Sequence, residues 1–134
     1  MEGKREGTRG SEAFPRRYRL GNNRNYRHVY RRGKAYPSRN LVLIHLKGRD
    51  LKIGFSVSGK VGNAVTRNRI RRCLREDVRR MRGQLKRGRY VFIARTGIVD
   101  APHAAVTREL QKLLARAKLL KEETPEGDSA GEER

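Results

Sequence analysis

Residues 63–82 carry eight arginines and only two carboxylates, Glu76 and Asp77, yet they also hold Ile70, Leu74, Val78 and Met81. Those four apolar residues follow i, i+4, i+8 and i+11, which is one stripe of an α-helix. Only that stripe can be buried, so the helix must lie on a body with its arginine face outward. Arg67, Arg71 and Arg75 are spaced by four and form one row, which Arg79 and Arg82 roughly extend. Like charges at that spacing repel and weaken a helix. Most charge runs are simply solvated surface. Here negative neighbours are nearly absent, so the repulsion stays uncompensated unless a polyanion relieves it.

The whole chain repeats this imbalance. Its 134 residues hold 34 Lys plus Arg against 14 Asp plus Glu, a formal net charge of +20. Nucleic acid is the first partner such a surplus suggests, and an acidic membrane surface the second. The membrane reading is the weaker, because the apolar stripe of the arginine helix is aliphatic and needed for the core. Apolar runs such as 41–44 fall far short of the roughly 20 residues that span a bilayer. No apolar leader is evident at the N-terminus. The single cysteine, Cys73, allows no internal disulfide and has no Cys/His cluster around it, which argues against zinc. A reducing cytoplasm is the expected location.

The chain length suits one domain. Residues 1–17 are rich in Gly, Arg, Lys and Glu and are expected to be a disordered basic arm. Residues 122–134 carry six carboxylates and one arginine and are expected to be a disordered acidic tail. The folded part is then 18–121, and the positive charge belongs to it and to the arm. A first helix is expected over 23–32, capped by Asn22 or Asn23, with Gly33 at its C′ position. Tyr26, Val29 and Tyr30 would share one of its faces. Residues 41–46 read as a strand with apolar residues on both faces. Ile53, Phe55 and Val57 alternate with Gly54, Ser56 and Ser58 in a second strand, and 47–50 would turn between the two. The arginine helix follows from Asn63 or Ala64 to Met81, then a strand over 90–95. The last helix is expected over 103–120, with Val106, Leu110, Leu113, Leu114, Ala117 and Leu120 facing inward. This order predicts an α+β fold, a mixed sheet with helices packed on it, the last strand lying parallel to a neighbour.

The entry to the arginine helix, residues 60–72, is the most informative stretch. Gly62 allows a tight turn, and backbone N–H groups at a helix start can face a phosphate. Asn68 breaks the basic run with a side chain that both donates and accepts hydrogen bonds. A row of guanidinium groups at helical spacing would track an RNA backbone, each group able to hold phosphate bidentately.

This stretch resembles the signature of bacterial ribonuclease P proteins, whose Arg-Asn-Arg motif is here Arg67-Asn68-Arg69. The strand 53–58 before it, Arg19-Leu20 with Tyr26 and Tyr30 upstream, and Ile93-Ala94-Arg95 downstream are similar to the family in a consistent order over about 18–120. The resemblance implies an αβββαβα two-layer sandwich on a four-stranded sheet, with a short extra strand near 34–36 and a left-handed crossover through the basic helix. It implies that Lys60, Asn63, Arg67, Asn68, Arg69, Arg71, Arg72 and Arg75 contact a catalytic RNA. It implies that Tyr26, Tyr30, Arg39, Val42 and Phe55 line a cleft for the single-stranded 5′ leader of precursor tRNA. The chain departs from the pattern at Gly59, where a second Lys is common, at Ile44, and at Thr96-Gly97. On the residues alone, Tyr26, Val29 and Tyr30 fit equally an ordinary core stripe or a half-open face on which bases stack.

A protein nuclease needs an acid–base pair or a carboxylate cluster for metal. No spacing pairs His28, His45 or His103, and Asp50, Asp77, Asp100 and Glu109 form no recognisable metal set. The residues alone thus point to a non-catalytic chain; the resemblance implies a subunit of an RNA-dependent endoribonuclease, with no cofactor of its own, magnesium held by the RNA, and no protein partner required. A ribosomal or other structural RNA-binding protein is the alternative that composition cannot separate, and a stand-alone nuclease the less favoured one.

Overall fold

The computed structural model describes residues 16–121. The expected arm and tail fall outside them, except that Arg16 and Arg17 begin a turn of 3-10 helix, Arg16–Tyr18. The elements are α1 (Asn23–Arg32), β1 (Lys34–Pro37), β2 (Leu41–Leu46), β3 (Leu51–Val57), α2 (Ala64–Met81), β4 (Gly88–Ala94) and α3 (His103–Arg116). The four strands make one sheet in the order β1-β2-β4-β3. Strand β4 pairs antiparallel with β2 and parallel with β3. Consecutive β2 and β3 therefore do not pair; the strand that returns from α2 is inserted between them.

Strand parity sorts the apolar residues into two cores. Leu41 and Leu43 of β2, Ile53 and Val57 of β3, and Tyr90, Phe92 and Ala94 of β4 face one side. There they meet the α2 stripe of Ile70, Leu74, Val78 and Met81 and the α3 stripe of Val106, Leu110, Leu113 and Leu114. On the other face α1 covers Val91, with Leu20 and Val29 buried against it and Ile44, Leu46 and Ile93 half-buried around them. The sandwich of sheet with α2 and α3 thus has a third, partial layer in α1. No helix among the described residues is long and apolar enough to cross a membrane.

One local reading is decided and two are revised. Helix α1 is capped by Asn22, whose side-chain oxygen accepts from the Asn25 N–H at 3.1 Å. Gly33 follows it at φ −85°, not left-handed. The glycine is required by close approach: a Cβ there would lie 2.6 Å from the Val29 carbonyl oxygen and 2.8 Å from an Ile44 methyl. Helix α3 stops at Arg116, four residues short of the expected 120. Lys118 takes a left-handed φ of 60° and turns the chain. Leu119 then fills the core, while Leu120 makes a bridge to Leu85. The apolar spacing ran on past the end because Ala117 and Leu120 lie at helical distances without being helical.

Gly54 fixes how α1 docks. A Cβ on it would sit 2.5 Å from Tyr26 Oη and 2.6 Å from Cζ, so the tyrosine ring occupies the space of the missing side chain. Gly54→Ala is expected to lower folding stability by about 1–3 kcal/mol through overpacking. The same substitution in a Tyr26→Ala background should cost clearly less, as a double-mutant cycle by urea unfolding would measure.

Candidate nucleic-acid interface

The entry to α2 is built by its own sequence. The Val61 N–H donates to the Ser58 carbonyl at 3.1 Å, and buried Val61 pins the turn to the core. Asn63 caps the helix, its Oδ1 accepting from the Thr66 N–H at 2.9 Å. Its carbonyl oxygen is therefore spent on the helix, and its amide N–H groups are what it can offer a ligand. Lys60 is exposed at the tip of the turn.

With the aliphatic stripe turned inward, the arginines divide. Arg67, Arg71 and Arg75 are half-buried along one side. Arg67 Nε donates to the Gly62 carbonyl at 3.2 Å, and Arg71 Nη1 to Asn68 Oδ1 at 2.8 Å. Burial foremost, and then the positive charges of Arg19, Arg71 and Arg72, lower the pKa of Arg75, while Tyr26 opposes the shift. Arg69 and Arg72 are exposed and have no partner among the described residues. The extension of the row is present at Arg79 but is engaged within the chain. Arg79 is bound to Glu76 at 2.6 Å, and Arg82 lies 4.5 Å from the centre of the Tyr18 ring. Asp77 does not interrupt the row either. It is 2% exposed on the inner side, where His103 Nε2 lies 3.2 Å from both its oxygens and Thr107 Oγ1 donates to it at 3.0 Å. The outer face of α2 is more uniformly positive than the sequence count implies.

The cleft candidates separate by sheet face. Tyr26 is half-buried, with its Oη accepting from the Phe55 N–H at 3.1 Å at the free edge of β3. Burial raises its pKa, partly countered by that hydrogen bond. Tyr30 is 41% exposed and meets the Tyr26 ring edge-on, with centroids 6.3 Å apart. Val42 lies on the same sheet face, paired with Ile93, which pairs in turn with Ser56. Phe55 is the correction. Odd positions of β3 point to the α2 side, and its ring stacks on Phe92 at 5.8 Å. Its backbone reaches the α1 side at the strand edge; its ring does not line that cleft. Arg39 is exposed in the turn before β2, without a partner among the described residues. Ile93 and Ser56 belong to the face but went unnoticed, although the period of two in their strands marks them.

The model of the family Ribonuclease P matches residues 14–118. The chain belongs to the ribonuclease P protein family. The ribonuclease P protein component of Clostridium botulinum is 42% identical over 103 residues, 74% of this chain and 93% of the relative. That of a Nitratiruptor species is 39% identical over 102 residues, covering 76% and 94%. Among solved structures, the RNase P protein of Staphylococcus aureus superposes with a TM-score of 0.74 at 28% identity, covering 78% of this chain and 98% of that one. The Thermotoga maritima RNase P protein gives 0.67 at 28% identity, covering 73% and 96%. Both candidate surfaces and the whole sheet lie inside the family match. So does β1, whose existence the resemblance implied and whose apolar pattern did not.

Among the described residues, no three His, Cys, Asp or Glu side chains converge to hold a metal ion. Buried Asp77 and exposed His103 brace α2 against α3, with Thr107 completing the contact.

Proposed function

We propose that this chain is the protein subunit of ribonuclease P, binding the catalytic RNA along the outer face of α2 and the 5′ leader of precursor tRNA beside α1. The carrying observation is the pair Arg69 and Arg72, exposed and without a partner among the described residues, on the helix that the turn of Lys60 and Asn63 opens. Guanidinium groups held there can bind phosphates bidentately without first breaking an internal ion pair. The chain's contribution is electrostatic and positional. It lowers repulsion between RNA strands and holds the leader so that the scissile bond is aligned. Among the described residues no carboxylate–histidine set gathers to hold a metal ion, and magnesium is assigned to the RNA; no step runs through a protein-bound metal. The reading places the chain in the cytoplasm, with RNA as its partner and no protein partner required.

The decisive experiment is reconstitution. The full chain, mixed with a bacterial ribonuclease P RNA at low magnesium, is expected to give cleavage of precursor tRNA at the mature 5′ end only when both are present. No stimulation by a folded chain, across several such RNAs, would turn the reading to a structural ribonucleoprotein. Cleavage by the chain alone would place an active site in it.

For the leader, Tyr30 is the informative residue, since Tyr26 supports the fold. Tyr30→Ala is expected to weaken binding of precursor tRNA to the reconstituted particle by about 1–3 kcal/mol, the worth of one stacked base. Mature tRNA should be unaffected. Equal weakening of both would remove Tyr30 from the leader site.

A further inference from the structure

At the far end of α2 from the Lys60 turn lies an open groove of about 690 Å³. Its walls come from the 3-10 turn Arg16–Tyr18, the start of β3, the turn after α2, and Lys121. Six cations line it, Arg17, Arg49, Lys52, Arg82, Arg87 and Lys121, against the single carboxylate of Asp50 among the described residues. These residues are scattered along the sequence, so no helical or strand period produces the cluster; the fold assembles it.

The walls are held in place. Lys52 Nζ donates to the Arg17 carbonyl at 2.7 Å, tying β3 to the 3-10 turn. The Arg17 and Arg82 guanidinium carbons lie 5.0 and 4.5 Å from the centre of one ring, Tyr18. Two cations on one aromatic ring are fixed more tightly than two on flexible stems in water. The Lys121 N–H donates to the Gln84 carbonyl at 2.6 Å, which fixes the remaining wall. Arg49 and Arg87 are exposed, and their guanidinium groups have no partner among the described residues.

We propose that this groove is a second RNA-binding site, and that it takes the phosphate backbone of the same catalytic RNA that lies along α2. This rests on the proposed function and extends it to a surface outside the Arg67-Asn68-Arg69 face. Like charges converging in a concavity raise the local potential and concentrate anions there. A phosphodiester backbone fits better than a small anion, because the cations are spread around an open groove and do not converge on one point. A structured RNA fits better than the leader, because the groove and the Lys60 turn stand at opposite ends of α2. That helix has 18 residues, a length of about 27 Å at 1.5 Å per residue. A folded RNA can bridge such a distance rigidly, whereas Tyr30 and Val42, the leader candidates, are on the α1 face.

The test uses the full chain with Arg49→Ala and Arg87→Ala together, two side chains with no hydrogen-bond or ion-pair partner among the described residues. Binding to a bacterial ribonuclease P RNA, without substrate, is measured over a range of salt concentrations, with thermal unfolding as the control for folding. The logarithmic salt slope is expected to fall by about two, and by about four when Arg69→Ala and Arg72→Ala are added. An unchanged slope, alongside a lowered one for the α2 variant, overturns the second site and leaves the groove to another anion, such as the chain's own acidic residues 122–134. A change that appears only once precursor tRNA is added overturns the choice of occupant. If neither pair alters the slope, it is the RNA-subunit reading of α2 itself that fails.

Discussion

Glu109→Ala is expected to lower folding stability by about 2–4 kcal/mol, as buried donors lose a charged acceptor. The carboxylate sits on α3 beneath the turn between β1 and β2. It accepts from the Ser38 hydroxyl, from the Asn40 N–H at 2.6 Å, from Asn40 Nδ2 at 2.9 Å and from the Leu41 N–H at 3.1 Å. Burial by itself would raise its pKa, but these hydrogen bonds outweigh it and the net shift is downward from 4.5. A carboxylate whose pKa is lower folded than unfolded contributes stability that is fully present above the unfolded value. That stability is lost as pH falls through the folded value. Urea midpoints between about pH 5 and pH 2 should therefore fall more steeply for the parent than for Glu109→Gln. A parallel pH dependence in the two proteins would show that Glu109 is not the group responsible. The same turn carries Arg39, so the alanine variant should also weaken precursor binding at temperatures where it remains folded.

That hub shows where the sequence is legible and where it is not. Helix α2 could be read almost to the residue, because its cap, its stripe and its charged face are all local features. Asn63 does cap it, and Ile70, Leu74, Val78 and Met81 are all buried. Local pattern fails where partners come from afar. Glu109 and Asn40 are 69 residues apart, and His103 and Asp77 are 26 apart. Each pair looks like scattered polar residues until the fold brings its members together. Phe55 was misplaced for a different reason. Matching a position to a family says which strand it is on, whereas strand parity decides which face its ring takes, and position 55 shares the parity of core residues Ile53 and Val57. Tyr26 and Tyr30, equal in the sequence, are divided by a glycine 24 residues beyond Tyr30. Gly54 gives Tyr26 a seat against the sheet and leaves Tyr30 outside.

Arg69→Ala with Arg72→Ala is expected to weaken binding to the catalytic RNA on the order of 10- to 100-fold near 0.1 M salt, and to lower the salt slope by about two. From the sequence, Arg67 and Arg71 would have been the pair to change, since they form the visible row. Their internal bonds argue otherwise. Arg67 holds the Gly62 carbonyl at the turn and Arg71 holds Asn68. Replacing them disturbs the entry to α2 as well as any phosphate contact, so a loss of binding would be ambiguous. Arg69 and Arg72 stand exposed with no partner among the described residues, and surface changes of that kind normally alter stability by less than about 0.5 kcal/mol. Removing them also relieves like-charge repulsion along α2, so thermal stability of the free chain should hold or rise slightly. Weaker RNA binding from an equally stable protein would locate the interface on this face. An unchanged slope in a folded variant would mean that the uncompensated charge on α2 serves something other than the RNA.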